Sequence, residues 1–190
     1  TWNNGLGAGS SHTVSPTATT TYTVTGTDVN GCVNTDQVIV TVNPLPTIVA
    51  SADVAICIGA STPISATGGS TYTWNNGLGA GNSHTVSPTT TTTYTVTGTD
   101  ANGCVNTDQV VVTVNPLPVI VASADITICH QSSTTISATG GSTYEWNNGL
   151  GIGNSHTVSP ANTTTYTVTG TDVNGCVNTD EVIVTINPLP

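Results

Sequence analysis

The chain has 190 residues and a formal net charge of −10, because it contains 10 Asp and Glu side chains and no Lys or Arg. Without basic side chains it cannot neutralise phosphate, which excludes nucleic-acid binding and docking on anionic membranes. Only 5% of the residues are charged and 36% are hydrophobic, so the chain is predicted to fold. Its apolar runs are far shorter than the roughly 20 residues that span a bilayer, so we predict no direct membrane insertion.

A 72-residue repeat organises the chain. Two strings mark it at this spacing: WNNGLG, which begins at Trp2, Trp74 and Trp146, and NPLP, which ends at Pro46, Pro118 and Pro190. We therefore predict a partial unit over residues 1–46, lacking the first 26 residues of a repeat, and complete units over 47–118 and 119–190. Because the chain starts in mid-repeat without Met or a signal sequence, we expect it to be a piece of a longer, extracellular protein.

The elements predicted within the unit 47–118 are short β-strands. Apolar and polar residues alternate over 61–67 and 93–97, and more loosely over 110–114, whereas no segment has helical periodicity. Gly-Gly, Asn-Gly, Ser-Pro and Asn-Pro pairs separate these segments as turns. About seven strands in such a unit are typical of a Greek-key sandwich. The predicted fold class is therefore all-β, with tandem immunoglobulin-like β-sandwich domains forming an extended rod.

The unit offers a small set of core candidates. They are Trp74, Tyr72, Tyr94, Ile64, Leu78, Val96 and Val112. Tyr94 stands either at a tyrosine corner or as an ordinary core aromatic residue. The NPLP strings fix two φ angles each and are predicted to act as short, stiff spacers between domains.

The five cysteines fall into two classes. Cys57 and Cys129 follow the first apolar strand of a unit, whereas Cys32, Cys104 and Cys176 lie in Asn-Gly-Cys turns. Two cysteines per unit indicate disulfides and an oxidising compartment. We favour pairing within a repeat, Cys57 with Cys104 and Cys129 with Cys176, which leaves Cys32 to pair outside the chain. Pairing across the linker, Cys32 with Cys57 and Cys104 with Cys129, and pairing between chains remain open, because loop-closure entropy differs too little to decide, and free thiols are a further alternative.

Several motifs together resemble a known family. These are ICxG at 56–59, SATGG at 65–69, YxW at 72–74, TTTYTVTGTD at 91–100, NGC at 102–104 and the closing VNPLP. The combination is similar to the tandem Ig-like, PKD-like domains of Bacteroidota surface adhesins and filaments exported by type IX secretion. The chain departs from this pattern at His130-Gln131, where the preceding unit has Ile-Gly, and at WNNGLG, where PKD domains have WxFGDG. The resemblance implies an extracellular stalk or adhesive filament.

Metal binding and catalysis find little support in the sequence. Asp100-x-Asn102, with Asp108, could supply oxygen ligands for Ca²⁺, but the loop lacks the Gly and the bidentate Glu of a calcium loop, so we favour an Asx turn. One His per unit, at His84 and its equivalents, indicates a surface strand residue rather than a zinc site. No nucleophile motif is present, and we predict no enzyme activity.

Two surface features are candidates for glycans. An exposed Trp74 beside Asn75 and Asn76 could stack on a sugar, although a core Trp followed by an Asn-Gly turn is the favoured interpretation. The sequon at Asn162 is a candidate glycosylation site. The predicted function is a structural repeat segment of an extracellular filament or adhesin stalk, whose partners are neighbouring copies of the repeat. The alternative is an array of weak carbohydrate-binding modules that contact surface glycans.

Overall fold

The computed structural model describes residues 1–188, and the last two residues of the third NPLP string, Leu189 and Pro190, lie outside the described residues. All regular elements in residues 1–188 are β-strands, and no helix long and apolar enough to cross a bilayer occurs there. The first unit contains β1 (Thr20–Thr27) and β2 (Val33–Val40). The second contains β3 (Val49–Ala50), β4 (Val54–Cys57), β5 (Thr62–Thr67), β6 (Thr71–Trp74), β7 (Gly79–Ala80), β8 (Ser83–Val86), β9 (Thr92–Thr99) and β10 (Val105–Asn115). The third contains β11 (Val121–Ala122), β12 (Ile126–Cys129), β13 (Thr134–Thr139), β14 (Thr143–Trp146), β15 (Gly151–Ile152), β16 (Ser155–Val158), β17 (Thr164–Thr171) and β18 (Val177–Asn187).

Each complete unit is built from two sheets. In the second unit the strand orders are β3-β5-β8 and β4-β10-β9-β6-β7, and in the third they are β11-β13-β16 and β12-β18-β17-β14-β15. All pairs are antiparallel except β4 with β10 and β12 with β18, which are parallel. Two facing sheets with this order form an immunoglobulin-like sandwich, so the predicted all-β class with tandem immunoglobulin-like domains is confirmed.

The first apolar segment of each unit is split between the two sheets. β3 pairs with β5, whereas β4, four residues later, pairs with β10 in the other sheet. Two carboxylates hold this crossing: Asp108 Oδ2 accepts the Ala50 N–H at 2.8 Å, and Asp53 Oδ1 accepts the Val111 N–H at 2.8 Å. The split gives eight strands where the sequence predicts about seven.

The core lies between the two sheets. Of the predicted core residues, Trp74, Tyr94, Ile64, Val96 and Val112 are buried, while Tyr72 and Leu78 pack against them half-buried. Four further buried residues were not among the predicted core residues: Ile48, Ala66, Val86 and Val110. Ile48 follows the linker directly and covers Gly98, where a Cβ would overlap the Ile48 side chain. The tight contact explains why a glycine interrupts the alternation of β9.

The hydroxyl that anchors a turn belongs to Tyr72 rather than to Tyr94. The Tyr72 hydroxyl accepts the Gly69 N–H at 2.7 Å and donates to the Gly69 carbonyl at 2.8 Å. This closes the Gly68-Gly69 turn onto the strand that follows it. Tyr94 is an ordinary core aromatic residue with 6% exposure, which was the second of the two predicted roles.

The first unit is a hairpin without a second sheet. β1 and β2 pair in the register of β9 and β10, but β2 ends at Val40, eight residues long instead of 11. The missing length is the part of β10 that pairs with β4 in a complete unit. Val38 is 47% exposed, whereas its equivalent Val110 is fully buried, because no β3–β5 pair covers the hairpin.

Candidate functional site: the junction between repeats

A short linker joins the second and third units. β10 ends at Asn115, and the chain reaches Ile120, a buried core residue of the next unit, five residues after that. Pro118 is buried, and its carbonyl accepts a hydrogen bond from the Asn178 side-chain amide at 3.0 Å. At the preceding junction the Asn106 amide donates to the Pro46 carbonyl at 2.9 Å. Each linker is therefore tied to the β-hairpin of the unit that follows it.

Cys57 lies where the second unit meets this linker. It is the last residue of β4, and its register partner in β10 is Asn115. The next residue, Ile58, donates its N–H to the Asn115 carbonyl at 2.9 Å, so the chain turns back at this point. The parallel pairing of β4 with β10 thus brings Cys57 to the end of its domain that faces the next repeat.

Cys176 lies at the opposite side of the same linker. It precedes β18, whose second residue Asn178 bonds the linker carbonyl of Pro118. Asp172 Oδ1 accepts the backbone N–H groups of Asn174 at 2.8 Å and of Cys176 at 2.9 Å. A carboxylate that accepts two local N–H groups forms a rigid Asx turn. The turn therefore presents the Cys176 thiol at the start of the third unit.

The two cysteines form a disulfide across the junction. Cys57 and Cys176 are bonded with a Cα–Cα distance of 5.5 Å and are 119 residues apart in sequence. Cys176 is completely buried, whereas its equivalents Cys104 and Cys32 are half-buried and exposed. The second and third units are thus held by a covalent bond as well as by the linker.

The favoured within-repeat pairs, Cys57 with Cys104 and Cys129 with Cys176, are wrong in this structure. Within one unit the two cysteines lie at opposite ends of β10, whose 11 residues extend about 33 Å. A disulfide requires Cα atoms about 4.4–6.8 Å apart. The alternative across-linker pairs also fail, because Cys32 precedes β2 at the hairpin end remote from the linker.

Three cysteines are free in the structure. Cys129 is exposed at the end of β12, Cys104 is half-buried in its turn, and Cys32 is exposed in the first unit. The predicted partner of Cys32 outside the chain stays a prediction.

The candidate calcium loop is an Asx turn. Asp100 Oδ1 accepts the N–H groups of Asn102 at 2.8 Å and Cys104 at 2.9 Å. Asp108 lies elsewhere on β10, bound to the Ala50 N–H. That hydrogen bond, with a second from Gln109, lowers the pKa of Asp108 below its usual value. Within residues 1–188 no group of three or more His, Cys, Asp or Glu side chains is placed to hold a metal ion.

The candidate glycan platform is built into the core. Trp74 is only 3% exposed, and its indole N–H donates to the Gly81 carbonyl at 3.0 Å. Asn75 Oδ1 accepts the Thr95 N–H at 2.9 Å, and the Asn76 amide donates to the Thr93 carbonyl at 3.1 Å. Ring and amides thus fasten the turn to β9, and Trp74 offers no face to a sugar.

The repeated His is also part of the packing. His84 is half-buried, with its ring edge-on to Trp74 at a centroid distance of 6.3 Å. Its Nε2 is buried and has no hydrogen-bond partner among the described residues. The expectation of a plain surface residue is therefore corrected. Asn162 is exposed beside His130, in a recess also lined by Ile186 and Pro188, and its glycosylation stays a prediction.

The fold and the junction define a tandem array of immunoglobulin-like β-sandwiches. No protein-family description and no curated protein matches the chain.

The chain is similar to several solved structures. A Ca²⁺-stabilized adhesin that helps an Antarctic bacterium bind ice is 16% identical (TM-score 0.43), with 90% of this chain and 57% of that chain covered. A 1.5-MDa bacterial ice-binding adhesin is 14% identical (TM-score 0.43; 88% and 74% covered). The IG1 and IG2 domains of DIP-gamma are 11% identical (TM-score 0.39; 76% and 98% covered). These scores lie below 0.5 and support no conclusion about function.

Proposed function

We propose that the chain is a structural repeat segment of an extracellular bacterial filament or adhesin stalk, and that it acts through length and stiffness rather than through catalysis. The resemblance to Bacteroidota surface proteins exported by type IX secretion supports this assignment, and so do the near-identical units. Its partners are neighbouring copies of the same repeat or chain, and it needs no cofactor.

The junction between the second and third units is the observation that carries the proposal. A flexible tether between binding modules would be Gly- and Ser-rich and free of contacts. Here the linker contains two prolines, its Pro118 is buried, and it is hydrogen-bonded to Asn178. The Cys57–Cys176 disulfide then restricts bending at the same place. This arrangement maintains the relative orientation of neighbouring domains, which is what a stiff stalk under tension requires.

The rival function, an array of carbohydrate-binding modules, lacks a site. Stacking on a sugar requires an exposed aromatic face. Trp74 and Trp146 are both 3% exposed, and the neighbouring amides are bonded to the backbone of β9 and β17. Among the described residues, no Trp-Asn-Asn-Gly turn combines an exposed aromatic ring with free amides.

Immunogold electron microscopy tests the proposal. Antibodies raised against the 190-residue chain are applied to intact and to sectioned cells that produce the parent protein. We expect gold along fibres outside intact cells, and loss of this label when the antibody is first absorbed with the chain. Label confined to the interior of sectioned cells would overturn the proposal.

A further inference from the structure

The disulfide between the second and third units joins two sites that recur along the chain. The Asn-Gly-Cys turn recurs in all three units, and the strand end that carries Cys57 recurs at Cys129 in the other complete unit. The free cysteines Cys104 and Cys129 can therefore be compared with Cys176 and Cys57 in their backbone hydrogen bonds and in their positions relative to the linkers.

The free cysteine Cys104 has the same backbone hydrogen bonds to its turn aspartate as Cys176 has. Asp100 Oδ1 accepts the Cys104 N–H at 2.9 Å, and the Asp100 N–H donates to the Cys104 carbonyl at 3.0 Å. The corresponding distances at Asp172 and Cys176 are 2.9 Å and 2.9 Å. The turn forms without the disulfide, so the thiol is already in place before its partner arrives.

The position of Cys104 relative to the preceding linker also matches that of Cys176. The Asn106 amide bonds the Pro46 carbonyl at 2.9 Å, as the Asn178 amide bonds that of Pro118 at 3.0 Å. The hairpin that carries Cys104 is thus docked on the linker before it. The residue that would face Cys104 is the equivalent of Cys57 in the preceding unit, which belongs to the 26 residues that unit lacks.

Cys129, the strand-end cysteine of the third unit, has the same backbone surroundings as Cys57. Cys129 ends β12 opposite Asn187 in register, as Cys57 ends β4 opposite Asn115. The residue after it, His130, donates its N–H to the Asn187 carbonyl at 3.0 Å and turns the chain back. Cys129 is exposed at the domain end that faces away from the second unit.

We propose that every junction between repeats is closed by a disulfide between the strand-end cysteine of one repeat and the Asn-Gly-Cys cysteine of the next. Cys104 is then the half-cystine for a preceding complete repeat, and Cys129 is the half-cystine for a following one. The bonds form a covalent series that runs beside the backbone along the array. This inference rests on the proposed function and deepens it by naming the partners of Cys104 and Cys129.

The chemistry needs a disulfide oxidant, for which oxidised glutathione serves. One protein thiolate attacks the glutathione disulfide and releases one glutathione thiol, and the second protein thiolate then attacks the mixed disulfide and releases the other. The two protein thiols lose two protons and two electrons, and oxidised glutathione takes up both to become two molecules of reduced glutathione.

A chain extended at its start tests the inference. A copy of residues 47–72 is placed before Thr1, which completes the first repeat and supplies an equivalent of Cys57. The protein is refolded with oxidised and reduced glutathione, alkylated, and cleaved before Asp. The extended chain also carries Val29→Leu at a fully exposed position as a mass label, because residues 28–35 and 172–179 otherwise have the same sequence. Each cysteine then lies on a peptide of its own mass, since the copied segment continues into residues 1–27, which differ from 73–99.

We expect the added cysteine to be linked to the peptide 100–107, which carries Cys104, with Cys57 still linked to 172–179. The matched control is the same extension with Cys57→Ser in the added copy, in which Cys104 is expected to be alkylated. A link from the added cysteine to the peptide 28–35, which carries Cys32, would overturn the inference. So would an alkylated Cys104 in the extended chain without the Ser substitution.

A second extension examines Cys129 independently. A copy of residues 119–190 is added after Pro190, with Val173→Leu in that copy as a mass label and Cys129→Ser in that copy to remove its own strand-end thiol. Val173 is 87% exposed, so the label leaves the fold intact. We expect Cys129 to be linked to the labelled turn peptide. Cys129 linked to the unlabelled sequence that peptides 28–35 and 172–179 share, or an alkylated Cys129, would contradict the inference. Failure of either test leaves extracellular fibre labelling unaffected, so it is distinguishable from failure of the proposed function.

Discussion

Stretching the chain from its two ends measures which cysteines are joined. The Cys57–Cys176 bond removes 119 residues from the extensible chain. A fully extended chain gains about 3.5 Å per residue, so the bond hides about 420 Å of contour length. Reduction is therefore expected to lengthen the fully unfolded chain by about this amount.

The alternative pairings predict clearly different lengths. Two within-repeat bonds each span 47 residues and would together hide about 330 Å. Two across-linker bonds each span 25 residues and would hide about 170 Å. The differences exceed the width of a typical contour-length distribution in single-molecule force spectroscopy.

The assay pulls the oxidised chain by handles at Thr1 and Pro190, with and without a phosphine reductant. Cys57→Ser serves as the control, and its contour length is expected to equal that of the reduced protein without any reductant. A length gain near 330 Å, or a Cys57→Ser chain as short as the oxidised protein, would refute the assignment of the disulfide to the junction.

Three substitutions test the packing within a unit. Trp74→Ala is expected to destabilise the second unit by about 3–5 kcal/mol in denaturant unfolding, because it empties a core position; a folded variant of unchanged stability would contradict the buried Trp. Gly98→Ala should cost about 1–3 kcal/mol through overlap with the residue that follows the linker, whereas the equivalent Gly26→Ala, with open space around it, should change stability little. Asp108→Asn should lower the melting temperature at pH 7, while Asp36→Asn, whose carboxylate binds only its strand neighbour, should not. Since the folded-state pKa of Asp108 is lowered, its stabilisation is full above the usual Asp pKa of about 3.9 and is lost as the pH falls through the folded value; equal loss in both variants would refute the role of its bond to Ala50.

Much of the fold follows from patterns that are local in sequence. Alternation places Val96 and Val112 inward, and the Asn-Gly pair after Trp74 forms the predicted turn, with Asn76 at a φ of 53°. These features depend on side-chain periodicity and on backbone preferences within a few residues. The sequence is therefore sufficient for the all-β class and for most of the core.

The junction could not be predicted in the same way, because it depends on which end of a domain each cysteine occupies. The sequence shows one apolar segment before Cys57, and nothing in its alternation reveals that β4 leaves the sheet of β3 to run parallel to β10. An antiparallel placement would have brought Cys57 to the other end of β10, near Cys104. The hydrogen bonds of Asp53 and Asp108 that hold the crossing link residues 58 apart, beyond any local signal.

The burial of the Trp turn illustrates the same limit for function. Trp followed by two Asn residues fits both a sugar platform and a core anchor, since the residue types are identical in the two cases. The decision comes from the partners across the sheet: Thr95 bonds Asn75, and Gly81 bonds the indole of Trp74. Only the paired strands reveal that the polar groups are already used.

The central claim is that a covalent bond joins neighbouring repeats, and a disulfide map of the oxidised 190-residue chain tests it most directly. Trypsin finds no site in a chain without Lys or Arg, but cleavage before Asp separates the five cysteines. Peptides 28–35 and 172–179 have the same sequence, so the chain carries Val29→Leu, at a fully exposed position, as a mass label for the peptide with Cys32. We expect peptide 53–99 to be linked to the unlabelled peptide 172–179, with Cys32, Cys104 and Cys129 alkylated. Peptide 53–99 linked to 100–107, together with 125–171 linked to 172–179, would contradict it.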